Sequence, residues 1–245
     1  MKSPSHIAIV TLLFMAAPLI AGAAPKWEEM DYGRFLSATF NNAEGKTTFE
    51  RKGCATNKGI AIKLGKNEEA TALFDTDLCR MAGGWLDGWL KLKGVVFDGA
   101  HGPNPQPADN AVLVFQTDPG PGWSKGEEFN DPRPMPTGPG AAKIPLGPLP
   151  RDWAKYKGLY WSGDRVVVAY SVGTATLLES PAQENVGGRS FITRTFNVTA
   201  RGAAPAHLLV ANGEHAELSA DKRIVSVAPE SKSTESRVFI GVIGA

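Results

Sequence analysis

The chain has 245 residues, with 26 Lys and Arg against 25 Asp and Glu, so its formal net charge is +1. Because the charges nearly cancel, the protein lacks the positive field that proteins binding nucleic acid or anionic membranes carry, and we expect neither partner. With 42% hydrophobic residues, 27 Gly and 18 Pro, the chain is apolar enough for a buried core and too rich in turn formers for a helical bundle.

The first 23 residues have the pattern of a secretory signal peptide. Lys2 provides the charged start, residues 7–20 form the apolar stretch, and residues 21–23 (Ala-Gly-Ala) provide small side chains for cleavage after position 23. The apolar stretch is shorter than the ~20 residues that span a bilayer. We therefore predict a periplasmic or extracellular protein that has no membrane anchor after signal cleavage.

The two cysteines, Cys54 and Cys79, follow the predicted signal. In an oxidising compartment a bridge between them would close a loop of about 25 residues and stabilise the fold by ~3 kcal/mol in the chain-entropy model. The alternative is two small buried side chains, because Cys79 lies in the apolar-leaning run 78–82. The sequence contains no CxxC, CxxCH or HExxH pattern, so no structural zinc and no covalently attached haem are predicted within it.

Strand periodicity begins in the first part of the mature chain. Apolar residues alternate over 60–64, and a second strand is predicted over Ala70 to Asp75. Asp87-Gly88 then lies between apolar flanks, which is a strong signal for a two-residue hairpin. In that register Trp85 lies opposite Leu90, and Trp89 lies on the other face of the hairpin with the lysines that follow it.

The segment 99–151 holds most of the 18 prolines. We predict one strand in it, Ala111 to Gln116, within a long Pro/Gly-rich irregular loop. Interleaved aromatic residues, including Trp123 and Phe129, favour an ordered loop over a disordered linker.

The last part of the chain returns to short strands. These are predicted at 165–172, 175–179, 190–199, 206–211, 224–227 and 238–243. The run 166–172 is apolar on both faces and is expected to be central. Many short antiparallel strands separated by turn residues predict an all-β fold, an antiparallel β-sandwich, with residues 24–245 as one domain. Because the chain stops inside an apolar run, two alternatives are open: a closing strand, or the N-terminal part of a longer polypeptide.

The densest group of chemically capable side chains lies between residues 74 and 102. Asp75 and Asp77 are suited to sugar hydroxyls or to a Ca²⁺ ion, Arg80 to paired hydrogen bonds, and Trp89 to stacking on a sugar ring. The alternative is structural: the two aspartates cap a turn, Arg80 pairs with one of them, and the tryptophans fill the core. No other cofactor is predicted.

Two further residues, Asp98 and His101, complete the list of candidate ligand-binding positions. With Asp77 they supply the carboxylates and the imidazole that acid–base chemistry needs, and the Pro-rich segment would cover such a site. Glycoside hydrolysis also requires a defined separation between two carboxyl groups, which a sequence does not reveal.

Long motifs in the chain resemble a domain of unknown function from secreted bacterial proteins. They are "ALFDTDLCRMAGGWLDGWLKLKGVVFDGAHGPNP", "DPGPGW", "PLPRDWAKYKGLYWSGDRVVVAYSVG" and "FITRTF". The resemblance implies an extracytoplasmic module near the N-terminus of large proteins that also carry propeller dehydrogenase-like and c-type cytochrome domains. It implies no catalytic residues, and this chain has neither the CxxCH motif nor the continuation of the larger proteins.

These observations together predict an exported, non-catalytic module that binds a glycan or a downstream domain of a larger secreted protein. Two alternatives stay open at this stage. One is the substrate domain of a sugar-active enzyme, either a dehydrogenase or a glycoside-processing enzyme. The other is a purely structural packing module.

Overall fold

The computed structural model describes residues 31–40, 56–92, 104–141, 144–200 and 206–210, and the backbone of strands at 215–218, 224–228 and 236–239. Every helix or strand assigned in these residues is a β-strand, so the all-β prediction is confirmed. No helix in the described part of the chain is long and apolar enough to span a membrane.

The described residues form fourteen strands. In chain order these are β1 (Phe35–Ala38), β2 (Gly59–Leu64), β3 (Ala70–Asp75), β4 (Arg80–Leu86), β5 (Leu90–Lys91), β6 (Gln106–Pro107), β7 (Val112–Gln116), β8 (Ala154–Ser162), β9 (Arg165–Val172), β10 (Ala175–Val186), β11 (Arg189–Thr199), β12 (His215–Leu218), β13 (Ile224–Ala228) and β14 (Ser236–Phe239).

The strands form antiparallel sheets. A five-stranded sheet has the order β1-β2-β3-β4-β7, and a four-stranded sheet has the order β11-β10-β9-β8. Two smaller sheets contain β12-β13-β14 and β5-β6. Strand β9 lies between β8 and β10, which confirms the central position predicted from its two apolar faces.

The two larger sheets pack around a shared core. Ile62 of β2 and Phe74 of β3 belong to the same buried cluster as Val168 and Tyr170 of β9. The Phe74 and Tyr170 ring centroids lie 5.5 Å apart. Because residues of both sheets fill one cluster, the arrangement is the predicted sandwich.

The five-stranded sheet is also covered on its second face. There Leu73 and Trp85 form a separate cluster with Phe40 and Leu90, which lie outside that sheet. This double cover explains why every residue of β3 is buried, although a sheet with one solvated face alternates buried and exposed positions.

The prediction of a two-residue hairpin at Asp87-Gly88 is wrong, because the strands on either side of this turn do not pair with each other. Strand β4 pairs with β3 and β7, and β5 pairs with β6. The carbonyl of Gly88 accepts hydrogen bonds from Thr71 Oγ1 (3.0 Å) and Trp85 Nε1 (3.1 Å), which hold the turn against the second face of the sheet. Since β7 occupies the edge beside β4, the chain after the turn crosses that face instead of pairing.

The strand predicted at 206–211 is also wrong. In the described residues of this segment, Leu208 makes one isolated bridge to Trp123, and the Leu209 N–H donates to the Gly122 carbonyl at 2.9 Å. The segment therefore pairs with the Pro/Gly-rich loop, whose backbone offers hydrogen bonds that no sheet uses.

A buried chain of hydrogen bonds attaches that loop to the four-stranded sheet. Trp123 Nε1 donates to the Tyr170 hydroxyl at 3.1 Å, and this hydroxyl donates to Glu179 Oε2 at 2.8 Å. Arg194 Nε donates to Glu179 Oε1 at 2.6 Å. Burial raises the pKa of Tyr170, and the Glu179 carboxylate raises it further, so the phenol stays a donor. The predicted irregular loop is thus fixed by side chains of β9, β10 and β11.

Candidate functional site

The turn between β3 and β4 carries three of the predicted site residues. Asp75 Oδ1 accepts hydrogen bonds from the backbone N–H groups of Asp77 (3.1 Å) and Leu78 (3.3 Å). Asp75 Oδ2 accepts one from Arg80 Nε at 3.3 Å, and Arg80 Nη1 donates to the Thr117 carbonyl at 2.6 Å. This geometry agrees with the structural interpretation of Asp75 and Arg80, in which the aspartate caps a turn and the guanidinium pairs with it.

Burial dominates the electrostatics of this turn. Asp75 is 2% exposed and Arg80 is 0% exposed. Burial raises the pKa of Asp75, and the neighbouring Asp77 raises it further, whereas Arg80 and, more weakly, Arg133 lower it. A charged pair removed from solvent in this way stabilises the turn through its hydrogen bonds and presents little surface to a large ligand.

A cavity of about 60 Å³ lies beside the turn. That volume holds a few water molecules or one ion, and it is far below the ~300 Å³ at which pockets for organic ligands begin. Two residues that line it, Thr56 and Asp77, each keep one buried oxygen without a hydrogen-bond partner. The whole lining consists of Thr56, Asn57, Asp75, Asp77, Leu78, Pro119, Arg133, Ile144 and Pro145.

Metal binding at the turn stays a prediction. Among the described residues, no group of three or more His, Cys, Asp or Glu side chains is arranged to hold a metal ion. Asp98 and His101 lie outside the described residues, so their roles in ligand binding or acid–base chemistry also stay predictions.

Trp89 lies away from the turn that carries Asp75, Asp77 and Arg80, which we call the charged turn. It packs against the cluster on the second face of the five-stranded sheet, and Lys63 Nζ lies 5.3 Å from its ring centroid. The preceding Gly88 is bonded to Thr71, near the start of β3, whereas Asp75 ends that strand. At ~3.3 Å per residue this separation is roughly 13 Å, so one sugar ring does not reach both groups.

Cys79 lies in the same turn and its side chain is buried, whereas Cys54 lies outside the described residues. Burial raises the pKa of the Cys79 thiol, and the Asp75 carboxylate raises it further. The bridge between the two cysteines stays a prediction.

We expect Cys79 to react with iodoacetamide at neutral pH at least about tenfold more slowly in the folded protein than in urea, because a buried thiol with a raised pKa forms little thiolate. Mass spectrometry of the peptide that contains Cys79 measures this rate. A Cys54→Ser variant serves as the control that removes the second thiol. Equal rates in the folded and unfolded protein would contradict the buried position, and a cross-linked peptide before reduction would establish the bridge.

A second candidate surface is the outer face of the four-stranded sheet, which we define by the residues of β8–β11 that point away from the core. In β8, Tyr160 pairs with Val167 and Lys155 pairs with Ser171. Their neighbours in β9, including Val168, belong to the core cluster. Because successive side chains of a strand point to opposite faces, Tyr160 and Lys155 face outward. Tyr160 is 64% exposed.

The outer face carries both apolar and polar side chains. Val167 lies opposite Tyr160, and the next row, of Gly158 and Ala169, continues to Leu178 and Asn197. The row of Lys155 and Ser171 continues to Thr176 and Thr199. Lys157 Nζ donates to Thr176 Oγ1 at 3.4 Å and so reaches across this face. The exposed polar side chains here are Ser162, Thr176, Thr195, Asn197 and Thr199.

Sequence reasoning missed this surface because it did not predict β8. The register of β8 shifts between Tyr156 and Gly158, so the alternation expected of a strand is interrupted at Lys157. The sequence does contain one signal for β8, namely the alternation after the bulge, where Leu159 packs against the core and Tyr160 is exposed.

Residues 72–179 match the family model of a domain of unknown function, DUF6797. No curated protein and no solved structure matches the chain. The DUF6797 match begins in β3 and ends in β10, so it contains the charged turn, the loop and β8, while β1, β2 and β11 lie outside it. The resemblance to a domain of unknown function is confirmed over this range; the neighbouring domains and the secretion that it implied stay predictions.

Proposed function

We propose that the protein is an exported, non-catalytic module that binds a glycan on the outer face of its four-stranded sheet. The observation that carries this proposal is the exposure of Tyr160, at 64%, on a sheet face that also presents hydroxyl and amide side chains. Export, which residues 1–23 predict, belongs to the proposal because it places the module where extracellular polysaccharides occur.

The chemistry of the outer face suits a sugar chain. A sugar ring has an apolar C–H face that packs on an aromatic ring, and hydroxyls that exchange hydrogen bonds with groups such as Thr176 and Asn197. Four strands at ~4.8 Å spacing give a surface roughly 14 Å wide, and β-strands hold its side chains in a fixed pattern. An extended polysaccharide therefore meets several contacts that are already in place.

The charged turn supports this proposal less well. Its cavity of about 60 Å³ is too small for a sugar ring, and Asp75 and Arg80 are engaged with each other. We accordingly assign these residues to the stability of the fold.

We expect Tyr160→Ala to weaken glycan binding by at least about fivefold, since an aromatic side chain that anchors a ligand contributes more than ~1 kcal/mol to an interface. A screen of the purified protein on an array of neutral and acidic polysaccharides, with and without Ca²⁺, identifies the ligand. Titration of that ligand by calorimetry then gives the affinity of each variant.

Trp161→Ala is the matched control. Trp161 is 59% exposed on the same strand, and its Nε1 donates to the Gly163 carbonyl at 2.8 Å. As the next residue it points to the other side of β8, so its loss is expected to change the affinity by less than about twofold. An array without any binding, or equal losses in both variants, would refute glycan binding on the outer face. In the first case the remaining function would be docking to a partner domain.

A further inference from the structure

We infer that the glycan bound by the outer face is acidic, a polysaccharide bearing carboxylate or sulfate groups. This inference rests on the proposed function and adds the chemical class of the ligand. It is based on the signs and positions of the charged side chains around Tyr160.

The charged residues that β8 and the start of β9 contribute to the outer face are cations. Lys155 pairs with Ser171 on this face, and Arg165 pairs with Ser162 at its end. Lys157 reaches the face through its hydrogen bond to Thr176. Lys155, Lys157 and Arg165 are all exposed, and none of them joins an ion pair among the residues that the structure describes.

The nearby carboxylates do not neutralise this set. Glu179 is buried on the opposite face of the sheet, where it is bonded to Tyr170 and Arg194. Glu184 lies toward the far end of the β10–β11 hairpin, where it accepts a hydrogen bond from Thr193 at 3.1 Å. Asp164 is exposed in the turn between β8 and β9. Glu184 and Thr176 are an even number of residues apart in β10, so both face outward. Three cations against these two carboxylates, Asp164 and Glu184, leave the outer face positive.

The cations lie on both sides of the aromatic ring. Along β8, Lys155 and Lys157 precede Tyr160, whereas Arg165 and its partner Ser162 follow it at the other end of the pairing. When one sugar of a polysaccharide stacks on Tyr160, the sugars that precede and follow it in the polysaccharide therefore each approach a positive side chain. A repeating acidic polysaccharide has an anionic group to offer at each of these places.

This local charge contrasts with the net charge of +1 for the whole chain. Affinity for polyanions in general rises with total positive charge, so an almost neutral protein gains little from that source. The positive patch is useful to a ligand that combines anionic groups with a ring that stacks on Tyr160. That combination favours an acidic glycan over double-stranded nucleic acid, whose bases are already stacked on one another inside the duplex.

The test uses pairs of ligands that share a sugar backbone and differ in charge. Polygalacturonate is compared with its methyl ester, and dextran sulfate with dextran, by calorimetry with the full-length protein. We expect the acidic member of at least one pair to bind about tenfold or more tightly than its neutral twin. The two pairs distinguish carboxylate from sulfate as the recognised group. Raising the salt from ~0.01 M to ~1 M shortens the screening length from ~30 to ~3 Å and should remove most of this preference.

The variant Lys155→Gln/Lys157→Gln/Arg165→Gln removes the three cations. We expect each exposed cation to contribute about two- to fivefold to the affinity, and the triple variant therefore to bind about eightfold or more weakly. The control Lys66→Gln/Lys91→Gln/Arg151→Gln changes the net charge by the same amount at exposed or half-buried positions elsewhere. It should retain the affinity within about twofold.

The outcomes separate the two proposals. Equal binding of the neutral and acidic twins would overturn the acidic-glycan inference and leave the proposed function intact. Equal losses in the two triple variants, or equally tight binding of double-stranded DNA, would also overturn the inference. If no polysaccharide binds, the proposed function itself fails.

Discussion

Replacing Arg80 with alanine is expected to lower the free energy of unfolding by about 3–5 kcal/mol, because it leaves the Asp75 carboxylate buried without its cation. The change also removes the hydrogen bonds that Arg80 Nη1 donates to the carbonyl (2.6 Å) and hydroxyl (3.0 Å) of Thr117. Thr117 belongs to the loop after β7, so the loss reaches beyond the turn. Urea unfolding followed by tryptophan fluorescence measures the effect.

Lys125→Ala is the control for this prediction. Lys125 Nζ lies only 2.6 Å from Asp152 Oδ2, closer than the 3.3 Å between Arg80 and Asp75, but its side chain and that of Asp152 are 54% and 70% exposed. We expect a loss of at most ~1 kcal/mol, because water solvates both charges in the variant. Similar losses from the two substitutions would mean that burial does not govern the Arg80 pair.

A fragment limited to residues 72–179, the range of the DUF6797 match, is expected to be unfolded in the absence of the rest of the chain. It lacks β2, which lies between β1 and β3 and contributes Ile60, Ile62 and Leu64 to the core. Losing one large aliphatic side chain from a core costs ~2–5 kcal/mol, and a whole domain is stable by only ~5–15 kcal/mol. It also lacks Arg194, so Glu179 stays buried and unpaired.

A second fragment, residues 31–210, retains β1, β2 and β11 and serves as the comparison. We expect it to unfold cooperatively in urea, with a near-ultraviolet circular dichroism spectrum that the shorter fragment lacks. A cooperative transition in the fragment 72–179 would show that the matched range is itself the folding unit, contrary to this expectation.

Strand positions were the most predictable part of the fold. The patterns at 60–64, 70–75 and 165–172 correspond to β2, β3 and β9, the last two with the same ends. The run 60–64 alternates with period 2, whereas the other two are nearly continuous apolar runs of strand length, and both signals are local. Prediction from the sequence therefore succeeds wherever a strand is regular along its length.

Irregular strands were predicted poorly. The strand predicted at 175–179 extends to Val186 in β10, where it meets β11 through Gly187-Gly188. Both glycines have positive φ, +57° and +74°, as a two-residue hairpin turn requires. The strand also continues through Pro181, which pairs with Arg194 in the same ladder. A sequence pattern does not show which backbone N–H groups form hydrogen bonds between two strands, so it does not show where a strand tolerates a proline.

The sequence by itself determined the all-β class and the irregular Pro/Gly-rich loop, because these depend on the conformational preferences of residues close together in the chain. The tertiary structure decided which strands pair, so that β7 and not β5 lies beside β4. It also decided that Arg80 bonds to Thr117, 37 residues away, and that Tyr160 lies on an open face. Partners distant in sequence are selected by the packing of whole sheets, and no local pattern encodes that selection.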